Sequence, residues 1–102
     1  MINEQFDKLT GLYTQKYFER RFEEEVSRTN RYKRPLTLMI LEINYDYFKT
    51  DANVRWAMIY TILKQFGALL RKQLRNVDIG GRYSGETFVI VFPETNLEGG
   101  KI

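Results

Sequence analysis

Hydrophobic residues recur every three to four positions in two stretches of the chain, and this spacing predicts two amphipathic helices. In the first, Phe18, Phe22 and Val26 are spaced four residues apart. This helix should end near Tyr32, because Pro35 disfavours a helical conformation at the residue before it. The second helix should cover about residues 53–76. Its expected core stripe consists of Trp56, Ile59, Leu63, Phe66, Leu70 and Leu74.

Short apolar runs between and after the helices predict β-strands. Leu36–Ile43 is almost wholly apolar, which is typical of a strand buried on both faces. Asp78–Tyr83 and Thr87–Phe92 flank Ser84-Gly85 and predict a β-hairpin with a glycine turn. Residues 95–98 have the form of a helix capping box, yet the chain stops four residues later. We therefore expect an α+β domain of order α-β-α-β-β whose C-terminal part is missing.

The composition of the chain limits which metals and partners it could bind. The 102 residues allow one domain, and 43% hydrophobic residues argue against disorder. The chain has no cysteine and no histidine, so any metal would be a hard cation held by oxygen. No apolar run approaches the ~20 residues of a membrane span, and no signal peptide is visible, so a cytoplasmic location is expected. The net charge of +3 suits phosphate-bearing partners, but nucleic-acid binding would rest on charge alone and is not favoured.

Several segments, in order along nearly the whole chain, resemble motifs of one family. They are Asp7–Tyr13 (DKLTGLY), Arg34-Pro35-Leu36, Phe48-Lys49, Arg82–Phe88 (RYSGETF) and Pro93-Glu94-Thr95. They resemble the DxLTGLxN, first-strand, FK and RYGGDEF motifs of GGDEF domains, so residues 1–102 are interpreted as one partial GGDEF-like domain. The resemblance implies a palm-like fold, as in nucleotidyl cyclases: a mainly antiparallel sheet flanked by helices. It also implies diguanylate cyclase chemistry, in which a dimer condenses two GTP molecules into cyclic di-GMP.

The resemblance assigns candidate site residues. The Mg²⁺ ligands would be the carboxylates of Glu42 and Glu86 and the carbonyl of Ile43. The residues matching the family's nucleotide-binding positions are Phe48, Lys49, Asn53, Ser84 and Gly85. Without the resemblance, a glutamate at a strand end and another at a turn are more simply explained as solvated side chains.

Several positions depart from the family's pattern, and at three of them an acid is lost. Acids of the active family members are replaced by Asn44 and Thr87, and the guanine-reading aspartate by Tyr60. A tyrosine cannot accept the two N–H bonds by which a carboxylate selects guanine. We therefore expect no detectable cyclase activity.

A second motif is retained. Arg75 and Asp78 fit RxxD, at the spacing from the hairpin that the family uses for its inhibitory cyclic di-GMP site. An arginine can fork onto a phosphate or a guanine edge, and an aspartate can accept guanine N–H groups. The alternative is structural, with an arginine favouring a helix C-terminus and an aspartate opening a turn.

Three functions stay open at this point. The first is a non-catalytic module that binds cyclic di-GMP or GTP, or that acts as a homodimer. The second is a weakly active cyclase, and the third is a dimerisation domain without a ligand. The substitutions argue against the second, and the RxxD motif argues against the third.

Overall fold

The computed structural model describes residues 5–44 and 52–95, with the backbone alone at residues 52 and 53. The elements are helix α1 (Gln15–Tyr32), strand β1 (Leu36–Glu42), helix α2 (Ala52–Gln73), strand β2 (Ile79–Arg82) and strand β3 (Thr87–Pro93). This confirms the predicted α-β-α-β-β order and the α+β class. Helix α1 ends where Lys33 turns into the left-handed conformation and donates its N–H to Thr29, just ahead of Pro35. No helix within the described ranges is long and apolar enough to cross a membrane.

The strands form one antiparallel sheet in the order β1-β3-β2. In the register of the longer pair, Leu36 lies opposite Pro93 and Glu42 opposite Thr87. The predicted hairpin between β2 and β3 is present, and its turn closes through bonds from the N–H groups of Tyr83 and Ser84 to the Thr87 carbonyl, 2.8 and 3.2 Å. The left-handed conformation is confined, among the described residues, to Gly11, Lys33 and Glu94, so this turn does not use the special freedom of Gly85.

The N-terminal segment runs beside β2. The N–H of Tyr13 donates to the Gly80 carbonyl over 3.1 Å, and the Tyr13 carbonyl accepts from the N–H of Arg82 over 2.9 Å. The Gly80 carbonyl and the Arg82 N–H, which point away from β3, are thereby paired. The DKLTGLY segment is thus attached to the hairpin strand through the backbone.

Each face of the sheet packs against one helix. On the α2 face, the buried cluster consists of Leu12, Ile59, Leu63, Leu70, Phe88, Ile90 and Phe92. On the α1 face it consists of Phe18, Ile79, Val89 and Val91. Full burial of each such aliphatic or aromatic side chain contributes about 1.5–3 kcal/mol. Most of the stripe residues predicted for α2 therefore lie in the core, as the periodicity indicated.

Two sequence predictions about burial are wrong. Strand β1 is not buried on both faces, because α1 lies over β2 and β3 and leaves Leu38 and Ile40 exposed by 45% and 63%. Trp56 is not a core residue either, since it is 67% exposed near the start of α2.

Candidate functional site

The two predicted carboxylate ligands lie on neighbouring segments. Glu42 ends β1 opposite Thr87, and the N–H of the next residue, Ile43, donates to the Glu86 carbonyl over 2.9 Å. The first strand thus lies beside the hairpin turn, as the metal-site hypothesis requires. Both glutamates are exposed, and the described residues contain no group of three acidic side chains that could hold a metal. Two carboxylates and a carbonyl would suffice for Mg²⁺ only if phosphate oxygens and water supplied the other ligands.

The predicted nucleotide-binding residues are only partly placed. Phe48 and Lys49 lie outside the described residues, as does the side chain of Asn53. Ser84 and Gly85 are exposed in the hairpin turn. A Cβ built on Gly85 would have no heavy atom within 4 Å, so this turn faces open space.

Thr87 at the hairpin and Tyr60 on α2 stand where the family has acids. Thr87 is half-buried, and its carbonyl closes the turn. Tyr60 is 58% exposed on α2, next to Ile59, which is buried. Neither side chain supplies a carboxylate, so Thr87 adds no negative charge at the turn and Tyr60 has no carboxylate with which to select guanine.

A brace connects the N-terminal loop to the same turn. The Asp7 carboxylate accepts the N–H and the hydroxyl of Thr10 at 2.9 and 2.8 Å, and one Arg82 nitrogen lies 3.3 Å away. The other terminal nitrogen of Arg82 donates to the Gly85 carbonyl over 3.1 Å. Burial opposes ionisation of Asp7, but the Thr10 hydrogen bonds and the Arg82 charge outweigh it and lower the pKa of the carboxyl below its ordinary value. The brace therefore fixes the turn to the DKLTGLY segment.

The RxxD motif forms a closed pair at the opposite end of β2. The backbone N–H of Arg75 donates to the Asp78 carboxylate over 2.8 Å, and the guanidinium Nε and Nη2 donate to the same carboxylate over 3.2 and 2.9 Å. The Asp78 hydrogen bonds and charge raise the pKa of Arg75. The two side chains of the RxxD motif thus bind each other, which the sequence analysis did not predict.

The exposed fractions of the Arg75 and Asp78 side chains indicate different roles for the two residues. The Asp78 side chain is 3% exposed, and the Arg75 side chain is 56% exposed. Asp78 therefore orients Arg75, while the guanidinium is the group that a ligand can reach. Thr95 fixes the orientation further, since its hydroxyl accepts from Arg75 over 2.7 Å and donates to the Pro93 carbonyl over 3.0 Å.

Two depressions border Arg75. One is an apolar groove of about 680 Å³ between β1 and α2, to which Met39, Leu41 and Phe66 contribute. The other, of about 220 Å³, is lined by Phe6, Tyr13, Arg71 and Arg75 among others. The Phe6 and Tyr13 rings are stacked there with centroids 5.1 Å apart.

Several residues around Arg75 were not predicted from the sequence. Thr95 lies twenty positions from Arg75, so no local pattern connects the two. Phe6 and Tyr13 flank the DKLTG segment, and this aromatic bracket is the one signal that could have drawn attention to them.

The chain is similar in sequence to proteins of one family. The sequence matches the family described as "Diguanylate cyclase, GGDEF domain" over residues 4–102. It is 38% identical over 96 residues to the diguanylate cyclase DgcP of Pseudomonas aeruginosa, covering 93% of this chain and 14% of the relative. It is 28% identical over 91 residues to the response regulator PleD of Caulobacter vibrioides, covering 89% of this chain and 20% of that protein.

Solved structures agree with the fold. The GGDEF domain of DgcB from Caulobacter crescentus in complex with c-di-GMP superposes with a TM-score of 0.84 at 19% identity, covering 96% of this chain and 55% of that one. The GGDEF domain of FimX from Pseudomonas aeruginosa gives 0.82 at 24% identity, covering 95% and 59%. The palm-like α+β fold is therefore shown. With the family match over residues 4–102, the chain belongs to the GGDEF domain family.

Proposed function

We propose that this GGDEF domain is a non-catalytic module of cyclic di-GMP signalling that binds cyclic di-GMP through Arg75. The observation that carries the proposal is the ordered, outward-facing guanidinium of Arg75, held by Asp78 and Thr95. Such an arrangement lowers the entropic cost of binding a phosphate, because the side chain is already oriented. In support, one solved GGDEF domain of the same fold has cyclic di-GMP bound.

The surroundings of Arg75 suit a nucleotide. Arg71 adds a second positive charge at the smaller depression, and the Phe6–Tyr13 stack offers an aromatic surface for a base. Because the Asp78 carboxylate is engaged by Arg75, it does not read guanine unless that pair opens. We propose that Arg75 contacts the phosphodiester and that Asp78 positions Arg75.

The proposal of no catalysis rests on charge at the hairpin turn. Active phosphoryl transfer depends on positioned cations and carboxylates around the triphosphate. Thr87 and Asn44 supply no carboxylate, and Tyr60 has no charge to select guanine. The Mg²⁺ site at Glu42, Ile43 and Glu86 stays a prediction, and no chemical step is assigned to a metal.

Isothermal titration calorimetry with cyclic di-GMP tests the proposal. The wild-type chain is expected to bind, and Arg75→Ala to lose about 10- to 100-fold in affinity, since a charge-assisted hydrogen bond contributes about 1.5–3 kcal/mol. Lys72→Ala is the matched control, because it removes a neighbouring exposed positive charge from the last turn of α2. Absence of binding by the wild type, or equal losses in both variants, would refute the assignment.

We further propose that the module is a cytoplasmic homodimer. A dimer is what the resemblance to GGDEF domains implies, since in that family each of two subunits contributes one GTP. Light scattering coupled to gel filtration tests the dimer. A mass of one chain, 12.2 kDa, at all concentrations would refute it.

A further inference from the structure

The smaller depression beside Arg75 lies on the β2 side of the sheet, away from β1. It is formed by the N-terminal loop, the last turn of α2 and the start of β2, and Phe6, Arg71 and Arg75 are among its lining residues. At about 220 Å³ it is smaller than the ~300–1,000 Å³ of pockets that enclose a whole drug-sized ligand, so it suits one part of a larger molecule. In a dinucleotide held by Arg75, that part would be a base.

One wall of this depression is an aromatic ring that other rings support. Phe6 is stacked on Tyr13 with the ring centroids 5.1 Å and the planes 22° apart, and Tyr13 packs against Tyr17 with centroids 4.7 Å apart. The backbone of Tyr13 is in turn hydrogen-bonded to β2. Phe6 itself is 43% exposed. A base can therefore stack on an ordered ring, and such stacking accepts any base, because every base has a π-face.

A second wall carries Arg71, whose guanidinium is positioned by the backbone of the N-terminal loop. Its Nε donates to the Thr10 carbonyl over 3.1 Å, and the guanidinium lies against Gly11. A Cβ on Gly11 would be 2.7 Å from that Nε, so this close approach requires a glycine, which also has a φ of 75°. With Nε engaged, the two terminal nitrogens of this exposed side chain are the donors that a ligand can reach.

We propose that Arg71 selects guanine at this site and that Asp78 does not read the base. The Asp78 side chain is 3% exposed, and its carboxylate is occupied by the backbone N–H and the guanidinium of Arg75. On its Hoogsteen edge, guanine presents two acceptors, O6 and N7, whereas adenine presents one acceptor and one donor. An arginine has donors only, so Arg71 can bond twice to guanine and once to adenine. This inference rests on the proposed binding of cyclic di-GMP and names the residue that gives the site its base selectivity.

Calorimetry with cyclic di-GMP and cyclic di-AMP tests this assignment, because the two ligands share the sugar-phosphate ring and differ only in their bases. The wild-type chain is expected to bind cyclic di-GMP about 5- to 100-fold more tightly, which is the discrimination typical of one bidentate arginine–guanine contact. Arg71→Ala should abolish this preference. Arg71→Gln should shift it toward cyclic di-AMP, because a glutamine offers the donor and the acceptor that the Hoogsteen edge of adenine matches.

Variants at other positions separate base selection from the remaining contacts. Arg75→Ala should weaken both ligands by the same factor, since the phosphodiester is common to them. Phe6→Leu should also weaken both, by about 5- to 100-fold, because stacking does not distinguish the two purines. Lys72→Ala removes a neighbouring charge that does not line the depression, so it is the control and should leave both affinities unchanged. Thermal melts show whether each variant folds, and Arg71→Gln decides the question if Arg71→Ala does not.

The outcomes distinguish this inference from the proposed function. A wild-type chain that binds neither ligand overturns both. A guanine preference that survives in Arg71→Ala or Arg71→Gln overturns the role of Arg71 and leaves binding through Arg75 standing. The same holds if Arg71→Ala weakens both ligands equally, since Arg71 would then contact the phosphodiester, or if the wild type binds both ligands with equal affinity.

Discussion

Replacement of Asp7 by alanine should strongly destabilise the domain. It removes the acceptor of two Thr10 hydrogen bonds, at 2.9 and 2.8 Å, and the partner of Arg82. Hydrogen bonds to a charged group contribute about 1.5 kcal/mol each at the lower limit, and a long, partly exposed ion pair adds less than about 1 kcal/mol. The expected loss in the free energy of unfolding is about 3 kcal/mol, of the ~5–15 kcal/mol typical of a domain.

Urea denaturation followed by far-UV circular dichroism measures this loss. The transition midpoint should fall by about 2 M if the denaturant slope is about 1.5 kcal/mol/M. Tryptophan fluorescence is unsuitable, because the only tryptophan, Trp56, is 67% exposed in the folded chain. Glu24→Ala, which breaks an exposed ion pair with Arg21 on α1, is the control and should cost under about 0.5 kcal/mol. A loss of less than about 1 kcal/mol for Asp7→Ala would refute the inference that the brace holds the loop to the hairpin.

Three other predictions test separate parts of the structure. The pKa of Asp7 in the folded domain is lowered from the ordinary value of 3.8, so the ionised carboxylate stabilises the fold fully above pH 3.8 and this stabilisation is lost as pH falls through the folded pKa. The difference in urea midpoint between the wild type and Asp7→Asn should therefore shrink in acid. Gly67→Ala should destabilise the domain by about 1–2 kcal/mol despite alanine's higher helix propensity, because the new Cβ would lie 2.6 Å from the Thr10 carbonyl oxygen. Ala68→Gly, on the exposed face of the same helix, is the control and should cost about 1 kcal/mol through the lower helix propensity of glycine. Thermal melts measure both losses. Incubation with GTP and Mg²⁺ should give no cyclic di-GMP by liquid chromatography, and product formation would contradict the proposed loss of catalysis.

Periodicity predicted the elements well because it reflects which side of a helix or strand meets the core. The spacing of apolar residues indicates which side of each helix faces the core. The structure confirms this for Phe18 and Phe22 on α1 and for the stripe from Ile59 to Leu70 on α2. The same pattern does not indicate how far the neighbouring layer extends. Trp56 lies on the expected side of α2 and is nevertheless exposed.

The apolar run of β1 was misinterpreted for a related reason. An almost wholly apolar strand predicts a layer on each side, but whether the layer reaches that strand depends on where distant helices pack. Helix α1 packs over β2 and β3 and does not cover Leu38 and Ile40. The RxxD motif was recognisable because its members are three residues apart, whereas its attachment to Thr95 depends on the return of β3 past the end of α2.

The attachment of Tyr13 to β2 has a consequence for assembly. The Tyr13 N–H and C=O already pair with Gly80 and Arg82, so these outward-pointing groups of β2 are not available to another chain. An unpaired strand edge is a template on which other chains can aggregate. The N-terminal segment therefore protects the β2 edge of the sheet from unwanted pairing.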